Sequence, residues 1–192
     1  MSELFSIFIG LALINNIVLV QFLGLCPVFG VSKKLGPAVN MGLAVTLVIF
    51  VSSALAWLAN NYILIPLKAE YLHLIVYLLI IGSMVQILEL ILKRTNDRLY
   101  KSFGIYLALI ATNCAVIGVL LLNAEKSYNF VESMIAAIGA GAGFTLVMAL
   151  MSGIREKLEL SNIPEAMKGL PVIFITAALL ALAFGGFAGM AF

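Results

Sequence analysis

Residues 4–32, LFSIFIGLALINNIVLVQFLGLCPVFGVS, run from Glu3 to Lys33 without one charged side chain. A hydrocarbon core of about 30 Å needs roughly 20 apolar residues of helix to cross it. This stretch exceeds that length, and Gly24, Pro27 and Gly30 punctuate it around Cys26. A strand reading fails, because the apolar residues are continuous instead of alternating and an open sheet in lipid would leave its edges unpaired. The stretch therefore reads as a membrane helix that is broken before it reaches the far side. It has no basic n-region and no clear small-residue cleavage site, so it is expected to be a mature span and not a signal peptide.

Outward from this segment the pattern repeats. Uncharged intervals at 35–67, 71–88, 102–124, 133–154 and 169–192 bring the expected number of spans to six. The 192 residues are 64% hydrophobic and 10% charged, with a mean hydropathy of +1.17, whereas a soluble domain carries roughly 25% charged residues. An ordinary soluble enzyme and a disordered chain are both excluded. A net charge of +2 is too small for a nucleic-acid partner. Lys33 and Lys34 follow the first span, Lys93, Arg94, Arg98 and Lys101 the third, and Arg155, Lys157 and Lys168 the fifth, together nine of the eleven bases. Lys68 and Lys126 lie on the other side. By the positive-inside rule the odd-numbered loops face the cytoplasm and both termini face outward, as in a multi-pass protein of a bacterial or archaeal cytoplasmic membrane.

The two halves share short strings. Cys26-Pro27-Val28-Phe29-Gly30-Val31 is echoed by Cys114-Ala115-Val116-Ile117-Gly118-Val119, and Gly42 with Thr46-Leu47-Val48 by Gly141 with Thr145-Leu146-Val147. Three spans precede the midpoint, so the second half enters the membrane from the opposite side. The expected fold is a single all-α membrane domain over 1–192, built as two inverted three-helix repeats of about 1–96 and 97–192. Cys26 precedes Lys33 by seven residues and Cys114 precedes Asn123 by nine, which sets them ~10 Å and ~14 Å below opposite faces at the helical rise per residue. Both cysteines fall near the midplane. Pro27 suits the first position of a helix restarting at Cys26, where its missing N–H is harmless, and a matching break is expected at Thr112-Asn113-Cys114.

Three uses of the cysteines are open on the residues alone. Cysteine packs well as a small hydrophobe, but these are the only two, at equivalent places of a repeat, beside polar or helix-breaking neighbours. A disulfide relay would want a C-x-x-C and an outward-facing thiol, and the chain has neither. A tetrahedral iron or iron-sulfur centre usually takes four thiolates, of which this chain could supply two. Burying that negative charge in lipid calls for helix N-termini or N–H donors aimed at it.

Asn15-Asn16, Phe22-Leu23-Gly24-Leu25-Cys26-Pro27, Gly30-Val31-Ser32-Lys33-Lys34, Thr112-Asn113-Cys114-Ala115-Val116 and Gly153-Ile154-Arg155-Glu156-Lys157 resemble the RnfA/RnfE/NqrD/NqrE family. These are integral subunits of the Rnf ion-translocating ferredoxin:NAD oxidoreductase and of the sodium-pumping NADH:quinone oxidoreductase. The resemblance covers essentially the whole chain, and Asn15-Asn16, Pro27 and Thr112 look like the Rnf branch and its A-type subunits. It implies pairing with an inverted RnfE-like homologue, two cysteines from each holding one [2Fe-2S] cluster, with Cys26 and Cys114 as this chain's metal ligands. It implies further Rnf subunits (B, C, D and G) as partners beside the lipid bilayer, and electron flow between ferredoxin and NAD coupled to Na+ or H+ translocation. The chain would then belong to a translocase without holding a complete active site or a catalytic residue of its own. The alternatives are the NqrE-like counterpart and a small inverted-repeat secondary transporter.

Asn15, Asn16, Gly24, Pro27, Thr112 and Asn113 are the candidates for cluster surroundings or an ion path, against the plainer role of helix-helix hydrogen bonding. Glu89 stands four residues before Lys93, a spacing that favours an ion pair over a transport site. His73 is expected at an interface. Gly139-Ala140-Gly141-Ala142-Gly143 lacks a preceding strand and reads as close helix packing, as do Gly185, Gly186 and Gly189. Trp57, Tyr62 and Tyr71 suit an aromatic belt. The orientation is testable: reporter fusions at Lys33 and Arg94 should register cytoplasm and a C-terminal fusion should not, and the reverse pattern would overturn the assignment.

Overall fold

A computed structural model describes residues 2–32, 34–65, 72–95, 110, 113–161, 164 and 169–188. Every regular element among them is a helix: α1 (Ser2–Ile9) with a π-helical turn at Gly10–Ile14, α2 (Ile17–Val20), α3 (Leu25–Val31), α4 (Leu35–Ala59) with a π-helical turn at Asn60–Leu64, α5 (His73–Thr95), α6 (Cys114–Glu125), α7 (Phe130–Glu159) and α8 (Leu170–Ala188). The protein is an all-α integral membrane protein. Leu35–Tyr62, His73–Ile91 and Phe130–Leu158 are long and apolar enough to cross a bilayer, and Leu4–Ile14, Cys114–Glu125 and Leu170–Gly186 are shorter apolar helices.

The core is the antiparallel pair α4 and α7. On α4 the buried residues Ala38, Met41, Gly42, Val45, Val48, Ile49, Ser52 and Ala56 recur at helical spacing. They meet Ala137, Ala140, Phe144, Val147, Met148 and Met151 of α7 in one cluster. The outward side of α4 is equally apolar, with Leu43, Leu47, Phe50 and Leu58 exposed. Polarity therefore does not separate the two faces; the buried one is set apart by Ala38, Gly42, Ser52 and Ala56 among its larger residues, small side chains that let helices approach where lipid offers no hydrophobic drive.

At the centre of this pair the two echoed strings touch each other reciprocally. A Cβ added to Gly42 would fall 2.7 Å from Thr145 Oγ1, and one added to Gly141 would collide with Thr46. The Thr46 hydroxyl donates to Gly42 O at 2.7 Å and the Thr145 hydroxyl to Gly141 O at 2.9 Å. The two hydroxyl oxygens lie 3.3 Å apart. Each threonine thus satisfies its donor on its own helix, as a hydroxyl in lipid must, and presents a small flank to the opposite glycine.

The neighbouring glycines of α7 serve a different helix. A Cβ on Gly139 would lie 2.9 Å from Phe8 O, and one on Gly143 2.8 Å from Ala12 O, so this i, i+4 face receives α1. Gly185 and Gly186, expected to pack in the same way, have nothing within 4 Å of an added Cβ. They lie on an exposed part of α8, where no helix among the described residues packs against them. Gly189, Tyr71 and the bases Lys33, Lys68, Arg98, Lys101 and Lys168 fall outside the described residues.

At the end of the bundle where α4 stops and α7 starts, the Trp57 ring meets Phe130 edge-on at 5.3 Å. Here His73 Nε2 pairs with Asn60 Oδ1 at 2.9 Å, which gives that histidine a local partner across the α4–α5 connection. Replacing Gly42 or Gly141 by Val should overpack the crossing and destabilise the protein by about 1–3 kcal/mol each. Gly82→Ala in α5, where an added Cβ meets nothing within 4 Å among the described residues, should be neutral or stabilising by up to about 1 kcal/mol. Thermal unfolding of the detergent-purified protein measures both, and equal midpoints for all three variants would refute the close crossing.

Candidate functional site

The first broken segment is interrupted twice. After the π-helical turn, the backbone at Asn15 leaves helical geometry and Asn16 (φ −58°, ψ 119°) begins α2. Water is absent at this depth, so the freed backbone groups need partners within the protein. Asn16 provides them: its Oδ1 accepts from Val18 N at 3.0 Å, and its Nδ2 donates to Ala12 O at 3.1 Å and to Gly143 O at 3.0 Å. One buried amide therefore caps α2, holds the end of α1 and fastens both to α7. An added Cβ on Gly143 would lie 2.9 Å from that amide nitrogen, which explains why glycine stands there. Asn15 faces outward and is exposed.

The second interruption turns the chain from α2 into α3. Phe22 (φ 55°) and Gly24 (φ 80°) both adopt left-handed backbone, a conformation natural for glycine and strained for a bulky residue. Gly24 has a second reason to be glycine, since an added Cβ would lie 2.9 Å from Ala115 Cβ and 3.0 Å from Phe144 Cε2. α3 begins at Leu25, so Pro27 is its third residue and not its first. The physical reason for the proline survives this shift, because the first four N–H groups of any helix lack an intrahelical acceptor.

In the second half, a helix begins where the sequence predicts it. Asn113 (φ −74°, ψ 110°) is the N-cap of α6, its Oδ1 accepting from Ala115 N at 3.0 Å, and Cys114 is the first helical residue. Thr112 lies outside the described residues. The two breaks meet: Gly24 N–H donates to Cys114 Sγ at 3.1 Å, a bond between residues 90 apart in sequence. Gly24, Asn113 and Cys114 are thus assembled in one place, and Phe144 and Ala115 wall it. Asn16 joins the same neighbourhood through Gly143, the residue next to Phe144. Pro27 is buried within α3, while Cys26 on the same helix is exposed and Cys114 half-buried. Beside Cys114, the buried Asn113 Nδ2 has no hydrogen-bond partner in the described structure.

The family model described as Rnf-Nqr subunit, membrane protein, matches residues 4–191. The chain belongs to the Rnf-Nqr family. Among its relatives, the A-type subunit of the ion-translocating oxidoreductase complex of Azoarcus sp. (strain BH72) is 50% identical over 99% of this chain and 98% of its own length. The A-type subunit of the proton-translocating ferredoxin:NAD(+) oxidoreductase complex of Clostridium ljungdahlii is also 50% identical over the same shares. The corresponding A-type protein of the ion-translocating oxidoreductase complex of Yersinia enterocolitica is 48% identical, again over 99% of this chain and 98% of its own.

Two features of this Rnf-Nqr chain escaped the sequence reading. At the far end of α3, Arg155 of α7 donates to Phe29 O and Ser32 Oγ. In sequence Arg155 registers only as a loop base, and Ser32 carries no C-terminal capping signal, since serine favours helix starts. The other is a polar cavity of about 190 Å³ at the opposite end of α7, lined in part by Ser53, Asn60, Tyr77, Asn123 and Ser133. There Asn123 Nδ2 reaches Ser53 Oγ at 3.5 Å, and Asn123 Oδ1 has no partner in the described structure.

Gly24→Ala should force the α2–α3 turn to shift, because it combines a left-handed φ with two close contacts. The expected result is loss of the bond to Cys114 and destabilisation of about 1–3 kcal/mol. Maleimide labelling of the half-buried Cys114 in membranes should accelerate in this variant, and an unchanged rate with unchanged stability would contradict the described turn.

Proposed function

We propose that this chain is the A-type membrane subunit of an Rnf-type ion-translocating oxidoreductase, and that Cys26 and Cys114 supply two of the four thiolates of a [2Fe-2S] cluster. The other two come from a homologous, inverted RnfE-like subunit. The observation that carries this reading is the Gly24 N–H bond to Cys114 Sγ, which joins the two cysteine-bearing breaks. The full-length relatives, all named as A-type subunits of such complexes, favour the Rnf branch over the Nqr counterpart and over a secondary transporter.

The donor set suits such a group. A thiolate centre in lipid is anionic and needs N–H donors in place of water. Gly24 offers one to the Cys114 sulfur, and the buried Asn113 Nδ2 beside it is a second donor without an acceptor among the described residues. The exposure of Cys26 suits a ligand that must reach a group shared with another chain. When bound, a [2Fe-2S] cluster supplies one-electron transfer within the membrane.

The remaining roles belong to this chain's own residues. Asn16 and Asn113 cap the restarted helices so that the breaks persist in lipid. Phe144 and Ala115 close off the space around Gly24 and keep water away from the sulfur. In the proposed complex the chain relays electrons between partners on the two sides of the cytoplasmic membrane, with the termini outside. Transfer between ferredoxin and NAD is thereby coupled to Na+ or H+ movement, alongside the other Rnf subunits.

The test is to purify the complex with Cys26→Ser or Cys114→Ser and to quantify iron, acid-labile sulfide and the EPR signal of the membrane cluster. Both variants are expected to lose that signal along with two irons and two sulfides per complex, the stoichiometry of a [2Fe-2S] cluster. Retention of the signal and of full electron transfer in both would end the ligand assignment.

A further inference from the structure

The helix that carries Cys26 is too short to hold itself. α3 has seven residues, well below the length at which a helix is stable without tertiary support. Its last four carbonyls, from Val28 to Val31, have no intrahelical donor. Two of them are taken up by side chains: Ser32 Oγ donates to Val28 O, and Arg155 Nη1 donates to Phe29 O at 3.2 Å. The same Arg155 nitrogen donates to Ser32 Oγ at 2.8 Å. Ser32 is fully buried, and its hydroxyl both gives and receives a hydrogen bond. Arg155 itself is half-buried, and its fixed positive charge stands at the negative end of the α3 dipole.

The other anchor of this region is on the same helix. α7 runs unbroken for 30 residues and receives Asn16 at Gly143 O and Ser32 at Arg155. Cys26 lies in the chain between those two fixed points, and Gly24 adds a third tie through Cys114. α2, α3 and the turn between them therefore take their position from α7, with the Arg155 clamp fixing the end of α3 that Gly24 does not hold.

We propose that Arg155, acting with Ser32, is a positioning residue for Cys26: by clamping the C-terminal end of α3 to α7 it sets where the Cys26 sulfur stands relative to Cys114. The inference rests on the reading of the two cysteines as cluster ligands. It differs from a general membrane-anchoring role for a base at a helix end, which any cation nearby on α7 could fill. Lys157 is such a cation, exposed and two residues away.

The experiment compares the purified complex carrying Arg155→Met, Ser32→Ala, Lys157→Met or Cys26→Ser. Backbone amide hydrogen exchange across α3 reads the clamp without reference to the cluster, and the EPR g-values and midpoint potential of the membrane cluster read the position of Cys26. Arg155→Met and Ser32→Ala should each accelerate exchange in α3 at least about tenfold, since each removes the charge-assisted Arg155–Ser32 bond together with one side-chain bond to an α3 carbonyl, and should shift the cluster signal in the same sense. Lys157→Met should change neither. If Arg155→Met fails to assemble, Ser32→Ala still breaks the bridge while leaving the charge in place. Unchanged exchange in both overturns the clamp, and faster exchange with an unaltered cluster signal overturns its action on Cys26. Equal effects from Lys157→Met also overturn the proposal, by reducing it to charge. If Cys26→Ser keeps the signal, the ligand reading itself fails, and the exchange data then identify which of the two ideas was wrong.

Discussion

A backbone that leaves helical geometry inside lipid must find its hydrogen bonds in the protein, because no water stands by to complete them. Most of what is distinctive about this chain follows from that requirement. Asn16 and Asn113 restart helices where the membrane would otherwise forbid an interruption. The N–H of Gly24 is turned to a sulfur and the carbonyl of Phe29 to a guanidinium. Each interruption is tied to the rest of the fold by a side chain or a sulfur, so the irregular segments are as determined as the helices around them.

The surrounding helices make room for these ties by being small where they face each other. Gly139 and Gly143 let α1 lie against α7 backbone to backbone, which is what places Gly143 O within reach of the Asn16 amide. Gly141, on another face of the same helix, admits Thr46. One short run of alternating glycine and alanine thus serves two partners. Its resemblance to a nucleotide loop is an accident of composition, with packing the reason for each glycine.

Much of this was legible in the residues. Scarce charge marked the membrane, and Gly24, Pro27 and Gly30 around Cys26 marked a break, though not the earlier one at Asn15 and Asn16. Asn113 before Cys114 is a capping signal in any helix, and the structure begins α6 there. Less legible was anything decided by a neighbour distant in sequence. Pro27 pointed to a helix with the proline in its first position, but the left-handed Gly24 beside Ala115 starts α3 two residues earlier, at Leu25. Gly185 and Gly186 look like the packing glycines of α7 yet meet no helix among the described residues, since small size permits a close contact without supplying the partner. Arg155 was hidden for the opposite reason: a base near a helix end already had a sufficient explanation in topology, and only coordinates reveal that it reaches back to Phe29 and Ser32.

The reciprocal crossing of Gly42 with Thr145 and of Gly141 with Thr46 has a mechanical consequence. Sliding α4 along α7 by one helical turn, about 5.4 Å, would carry each threonine off its glycine and onto a side chain that cannot yield. The crossing therefore acts as a detent: it forbids piston-like travel of the two longest helices while leaving the short segments α2, α3 and α6 to respond as bodies hung from a fixed axle. Displacement of those segments is then confined to rotation or tilt about their side-chain ties, over distances set by single hydrogen bonds instead of by whole helical turns.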